Sequence, residues 1–203
     1  MKLTWRGHAC FAVESAGYRI MLDPYHEVTG LPDISGEANE ALCSHFHHDH
    51  CYVEELTLLG GVSPFAVEKV ASFHDDKQGA LRGDNVMHIL SAEGLRVAHL
   101  GDLGHMPDAE QEKMLAGLDV LLIPIGGTYT LDAAQAAELT KRLKPRMTVP
   151  MHYRKGSQGY EVLQTAEDFL QYFDESEICI CEGNSIEVSA AALPRVAVLT
   201  YQG

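Results

Sequence analysis

The chain has no apolar run approaching the ~20 residues that cross a bilayer, and it is poor in cations. Its 203 residues carry 15 Lys and Arg against 29 Asp and Glu, a formal net charge of -14. Phosphate backbones are held by clustered Lys and Arg, so this balance argues against a nucleic-acid partner. A small anionic substrate stays compatible with it, because bound metals supply local positive charge. The first residues, MKLTWRGHACFAV, lack the long apolar stretch of a signal peptide and read as a strand. With no membrane segment either, a cytoplasmic protein is the simplest reading. Repeats, low-complexity tracts and linkers are missing too, which leaves one domain over residues 1–203. Cysteine is sparse: Cys10, Cys43, Cys51, Cys179 and Cys181. No second Cys pair completes a zinc set around Cys179 and Cys181, which alternate along one strand and share a face. Buried free thiols in a reducing compartment are expected.

What is present is a strand-rich first half and an alternating second half. Strands are expected at Lys2 to Trp5, Cys10 to Glu14, Tyr18 to Leu22, Glu40 to Ser44, Lys69 to Phe73, Val86 to Ser91 and Leu95 to Leu100. Turn residues such as Ser15-Ala16-Gly17 and Glu93-Gly94 separate them. Gly30 to Asn39 reads as a loop and Tyr52 to Leu59 as a short helix. Helices at Pro107 to Ala116, Asp132 to Leu143 and Ala166 to Phe173 then alternate with apolar strands at Asp119 to Ile125 and Met147 to Met151. Ile178 to Cys181, Ile186 to Ser189 and Val196 to Thr200 close the chain as strands. Meanders flanked by helices predict two packed sheets, an α/β fold of αββα sandwich type.

The chemistry concentrates in Ser44-His45-Phe46-His47-His48-Asp49-His50-Cys51, directly after an apolar strand. Four histidines within six residues have no packing rationale, and imidazole with carboxylate suits zinc and its neighbours. His74, Asp102 and His152 each follow a strand as well. Strand ends along one edge of a sandwich face a common cleft. His99 is the rival to His74, but it alternates with Val97 inside its strand. His105 is expected to meet substrate or cap a helix, and His48 to sit in the loop. His26 and His88 read as surface residues. Gly126-Gly127-Thr128 reads equally as an anion-binding turn or as a tight turn required by packing. The stretch His74 to Asn85, with its Arg82-Gly83-Asp84, reads as a loop beside the site, and Tyr153, Arg154 and Lys155 as a substrate contact or a solvated loop.

HxHxDH after a strand, followed by a strand-end His, GD and PMH, resembles the metallo-β-lactamase superfamily. Within it the chain is similar to small hydrolases related to ascorbate-6-phosphate lactonase. GHACF, LDPY at Leu22 to Tyr25, HLGDLGH at His99 to His105, PIGGTYTLD at Pro124 to Asp132 and PMHY at Pro150 to Tyr153 carry the likeness over almost the whole chain. Ser44 stands where many relatives have Thr. The resemblance implies the metallo-β-lactamase fold, with mixed sheets and helices on the outer faces. It also implies two divalent ions, zinc by expectation, with manganese or iron as alternatives. His45, His47 and His74 would hold the first, Asp49, His50 and His152 the second, and Asp102 would bridge both. His8 and Asp23 would orient ligands. The implied activity is hydrolysis of a small ester, lactone or phosphodiester by an activated hydroxide, with Asp49 and Asp102 as the catalytic carboxylates. The other readings are a metal-binding sensor without catalysis, or a redox di-iron protein, whose family pattern has Glu in place of His47.

Overall fold

Two-residue turns fold the N-terminal half into hairpins. β1 (Lys2–Gly7) pairs antiparallel with β2 (Cys10–Ser15), and β2 with β3 (Tyr18–Leu22). Ala16 and Gly17 between β2 and β3 both have positive φ, as the tight hairpin turn requires. Next come β4 (Gly36–Ala38), β5 (Glu40–Leu42), β6 (Leu56–Leu58), β7 (Ala66–Phe73), β8 (Asp84–Ala92) and β9 (Leu95–His99). The alternating half supplies α1 (Ala109–Met114), β10 (Val120–Pro124), α2 (Ala133–Leu143), β11 (Met147–Met151) and α3 (Ala166–Leu170). β12 (Ile178–Ile180), β13 (Ser185–Glu187) and β14 (Val196–Val198) end the regular structure. This computed structural model describes residues 1–201.

The strands form two mixed sheets and a small pair. One sheet has five strands in the order β13-β1-β2-β3-β5, and the other has seven, β12-β14-β11-β10-β9-β8-β7. Their facing sides share one core, with Leu3, Trp5, Phe11 and Ile20 on one side and Leu90, Val97, Leu122 and Val149 on the other. Every residue of β10 and β11 is buried, the pattern of a parallel strand covered on both faces. α2 packs on β10 and buries Ala133, Ala136, Ala137 and Leu139. It starts on a capping box: Asp132 accepts from the Gln135 amide at 2.8 Å, and Gln135 accepts in return at 3.1 Å. The outer side of the five-stranded sheet is covered differently. Cys10, Ala12 and Met21 pack there against Tyr25, Val28, Ile34, Ala38 and Leu56.

Three expectations need correction. Tyr52 to Leu59 is not a helix: a turn runs from Val53 to Leu56, and β6 then pairs in parallel with β4, itself inside the expected loop. Pairing of Thr57 with Glu37 outweighs a local helical preference that only a few residues support. The cysteines are not all free thiols. Cys43 and Cys51 form a disulfide because the loop between them doubles back and leaves their Cα atoms 5.2 Å apart. Cys10 is buried and free, whereas Cys179 is exposed and lies 3.9 Å, sulfur to sulfur, from Cys181. His88 is buried, not superficial, since β8 lies inside the sheet opposite His99 of β9. Among the described residues no helix is long and apolar enough to cross a membrane.

Topology fixes where the chain can place its chemistry. β9, β10 and β11 run parallel, and β7 shares their direction through two antiparallel steps. β1, β3 and β5 likewise share one direction. The C-terminal ends within each set therefore open on one edge. Two glycines let the backbones meet there. A Cβ on Gly104 would lie 2.4 Å from the Asp75 amide nitrogen, and one on Gly101 (φ +55°) would lie 2.4 Å from Asn85 Oδ1 and Ser44 Cβ. Gly94 has φ +74° but open space around it. We expect Gly94→Ala to cost about 1 kcal/mol, the left-handed backbone penalty alone. Gly101→Ala adds overpacking and should cost about 2–5 kcal/mol. Urea denaturation of the two variants checks the difference, and equal losses would show that the contact at Gly101 is slack.

Candidate metal centre

Each expected donor leaves the end of a strand on this common edge. β5 runs into Ser44 and the loop His45 to His50, β7 is followed by His74, β9 by Asp102, and β11 by His152. All seven side chains come together. Ligand-capable atoms of His45, His47 and His74 lie within 4.8 Å of one another, as do those of His45, His50 and Asp102, and those of His8, Asp49, His50 and His152. The third group contains a residue that the sequence places only in a supporting role, His8. Asp102 is the meeting point: Nε2 of His50 lies 3.2 Å from its Oδ1, and Nε2 of His74 and His152 each lie 3.2 Å from its Oδ2.

The far side of each ring explains why the near side is free. His50 donates from Nδ1 to Asp23 Oδ2 at 2.7 Å. Ser44 Oγ donates to the same oxygen at 2.5 Å and accepts from His45 Nδ1 at 3.0 Å. One buried carboxylate, Asp23, therefore orients imidazoles of both expected sets. His74 donates from Nδ1 to the Tyr129 carbonyl at 3.1 Å. With Nδ1 committed, Nε2 of each ring presents a lone pair to the cleft. Nε2 of His45 and His50 and Oδ1 of Asp102 are buried without a hydrogen-bond partner. Unpartnered buried acceptors are rare in folded proteins, and here they cluster around one point. This donor chemistry fits divalent cations.

The electrostatics follow from crowding. Burial pushes the His45 imidazole down to about 3, with nearby His50 adding to it. Burial alone would raise the Asp102 carboxyl, but His152 and His50 outweigh it and hold the group well below the carboxylate range. Burial likewise opposes protonation of His50, but Asp102 and Asp23 prevail and raise it well above the imidazole range. The two shifts are opposite sides of one attraction between His50 and Asp102.

Asp102 is itself held by Asn85, which accepts from the Asp102 amide at 2.9 Å and donates to the Leu100 carbonyl at 2.9 Å. The loop after His74 is organised by Asp75. Its two oxygens accept from the backbone amides of Lys77, Gly79, Leu81 and Arg82 at 2.7–3.0 Å. Those contacts overcome burial and lower Asp75 to about 2. They also carry Arg82 to the rim, where it donates to the Thr128 carbonyl at 3.1 Å and stands 5.4 Å from the Tyr129 ring. Tyr160 donates to Asp49 Oδ2 at 3.2 Å. The cleft holds about 500 Å³ and is lined by Tyr129, Tyr160, Arg82, Glu27 and His48 beside the donors.

Sequence reasoning did not single out Tyr160 or Asp75, and Asn85 only as part of a loop. No spacing rule marks Tyr160, whereas a second Asp directly after His74 was a usable sign of a loop organiser. The remaining candidates fall elsewhere. His99 uses both nitrogens, donating to the Ala9 carbonyl at 2.8 Å and accepting from the Gly101 amide at 3.2 Å, and it is not among the gathered donors. His105 neither lines the cleft nor caps α1, which starts on Asp108. Tyr153 is buried and stacks on Trp5 with centroids 5.5 Å apart. Gly126 and Gly127 form a tight turn, with the Gly127 amide donating to the Leu131 carbonyl and a Cβ on Gly126 blocked by the His152 carbonyl at 2.2 Å.

Known proteins resemble this chain. A model of the β-lactamase superfamily domain matches residues 2–152. A UPF0173 protein of Pyrococcus furiosus is 30% identical, over 75% of this chain and 83% of its own. A UPF0173 metal-dependent hydrolase of Thermoplasma acidophilum is 26% identical over the same shares. A protein of Thermotoga maritima assigned as a Zn-dependent hydrolase of the metallo-β-lactamase superfamily is 32% identical and superposes with a TM-score of 0.75, over 98% of this chain and 97% of that one. The chain belongs to the β-lactamase superfamily, among its metal-dependent hydrolases.

Proposed function

We propose that the chain hydrolyses a small anionic ester, lactone or phosphodiester at a site for two divalent cations. His45, His47 and His74 would hold one cation and Asp49, His50 and His152 the other, with the Asp102 carboxylate placed to serve both. The observation that carries the reading is the Asp102 carboxylate, with three imidazole nitrogens at 3.2 Å around it. A shared anionic oxygen reduces repulsion between two cations, which a neutral ligand does poorly. Two such ions supply an acidified water as nucleophile and an electrophile for the oxygen that gains charge. The protein's own groups do the rest. Arg82 binds the substrate's negative group at the rim, and Tyr129 and Tyr160 shape the apolar wall. Asp49 takes up the proton of the attacking water, and the Tyr160 hydroxyl on its Oδ2 fixes the carboxylate's orientation.

Asp102→Asn tests the centre. The shape is retained and the charge lost, so the chelator-treated variant should melt close to wild type, bind one ion fewer and lose at least about a hundredfold in turnover. Two ions at full turnover would make Asp102 structural. Asp23→Asn tests the support, with affinity for both cations falling roughly 10–100-fold in a competition titration. An effect confined to one cation would mean that the Ser44 relay to His45 is idle.

Among the described residues, Arg82 is the one Lys or Arg lining the cleft. Arg82→Ala should raise KM for an anionic ester roughly ten- to a hundredfold, the worth of a charged hydrogen bond, and leave a neutral ester of the same acyl group little changed. Equal effects on both esters would remove Arg82 from substrate binding.

A further inference from the structure

We infer that His8 is a fourth side-chain donor to the second cation, beside Asp49, His50 and His152. This rests on the two-cation reading above and assigns a residue that the reading leaves out. His8 turns the corner between β1 and β2 and is 2% exposed. Neither of its ring nitrogens has a hydrogen-bond partner. Its Nε2 is 3.5 Å from Asp49 Oδ2, beyond a well-made hydrogen bond. Its ring lies 4.1 Å, centroid to centroid, from that of His152 and 5.2 Å from that of His50. One ring nitrogen falls within 4.8 Å of ligand atoms of all three partners.

No neighbouring group makes a hydrogen bond to it. Tyr25 and Tyr160 approach His8 edge-on, at 6.0 and 5.6 Å between centroids. Their hydroxyls are committed, Tyr25 to the Arg6 carbonyl at 2.8 Å and Tyr160 to Asp49 at 3.2 Å. An imidazole buried with both nitrogens idle is costly, and the backbone keeps this one in place against a further cost. His8 has φ +50°, which a residue with a Cβ adopts only where its surroundings impose it. Its carbonyl accepts from Trp5 Nε1 at 2.9 Å and from the His152 amide at 3.1 Å. The same peptide that fixes His8 thus docks onto His152 and ties the two residues together.

The donor count makes the two seats unequal. Counting Asp102 in both, the first has His45, His47, His74 and Asp102, and the second has His8, Asp49, His50, His152 and Asp102. Four donors suit tetrahedral zinc. Five protein donors suit a cation that accepts a higher coordination number, such as manganese or ferrous iron.

The full chain, stripped with chelator and titrated with manganese alone, tests this by calorimetry and metal analysis. Wild type should take two ions. His8→Ala and the ring-preserving His8→Phe should keep the first at wild-type affinity and weaken the second by at least about tenfold. A second readout needs no variant. In wild type carrying isotope-labelled histidine and spin-active cadmium, six imidazoles should show scalar coupling to the metal, His8 among them. Two ions at wild-type affinity in both variants, or five coupled imidazoles without His8, would overturn the assignment and leave the two-cation reading intact. A wild type that never binds two ions would overturn that reading and this inference together.

Discussion

A carboxylate meeting three imidazole nitrogens at 3.2 Å sets the terms for the molecule around it. Lone pairs crowded that closely repel unless positive charge lies among them, so their side chains have to be held from behind. Asp23, Ser44, the Tyr129 carbonyl and Asn85 do the holding, each through a hydrogen bond on the side away from the cleft. The sandwich makes such support possible. Strands of like direction end on one edge, and the core between the sheets supplies the packing that keeps the loops from relaxing outward.

Much of this was readable from the residues in order. The His45 to His50 cluster is local, so spacing alone exposes it. His74, Asp102 and His152 were recognisable because an apolar strand pattern stops just before each of them. The same logic separates His74 from His99, whose nitrogens are both used by backbone groups. The fold was legible where period and caps agree, as at Asp132, which starts α2, and at Glu93-Gly94, which turns β8 into β9. It was illegible where a distant partner decides. β4 and β6 are three-residue strands that pair with each other although β5 and a loop separate them along the chain.

The support for the site was harder to read for a related reason. Tyr160 lies 111 residues from Asp49 in sequence, and only the folded chain brings them together. Asp75 looks like any loop acid until four amides are seen to converge on it. His88 has the polarity of a surface residue but lies inside a sheet that is covered on both sides. In each case the deciding contact is long-range or made by backbone, and composition carries no trace of it.

The disulfide between Cys43 and Cys51 closes a ring that contains His45, His47, Asp49 and His50. Four of the eight proposed donors therefore sit on a covalently tied loop, while His74, Asp102 and His152 reach it from strand ends and His8 from the β1–β2 turn. Tying a loop of this length removes roughly 2–3 kcal/mol of chain entropy from the open ensemble. Part of the ordering that cation capture requires is thus already built in before any ion arrives. Reduction of the bond removes no donor and alters no charge in the cleft. It frees the necks of the ring, and the ordering cost it had covered returns to the binding step.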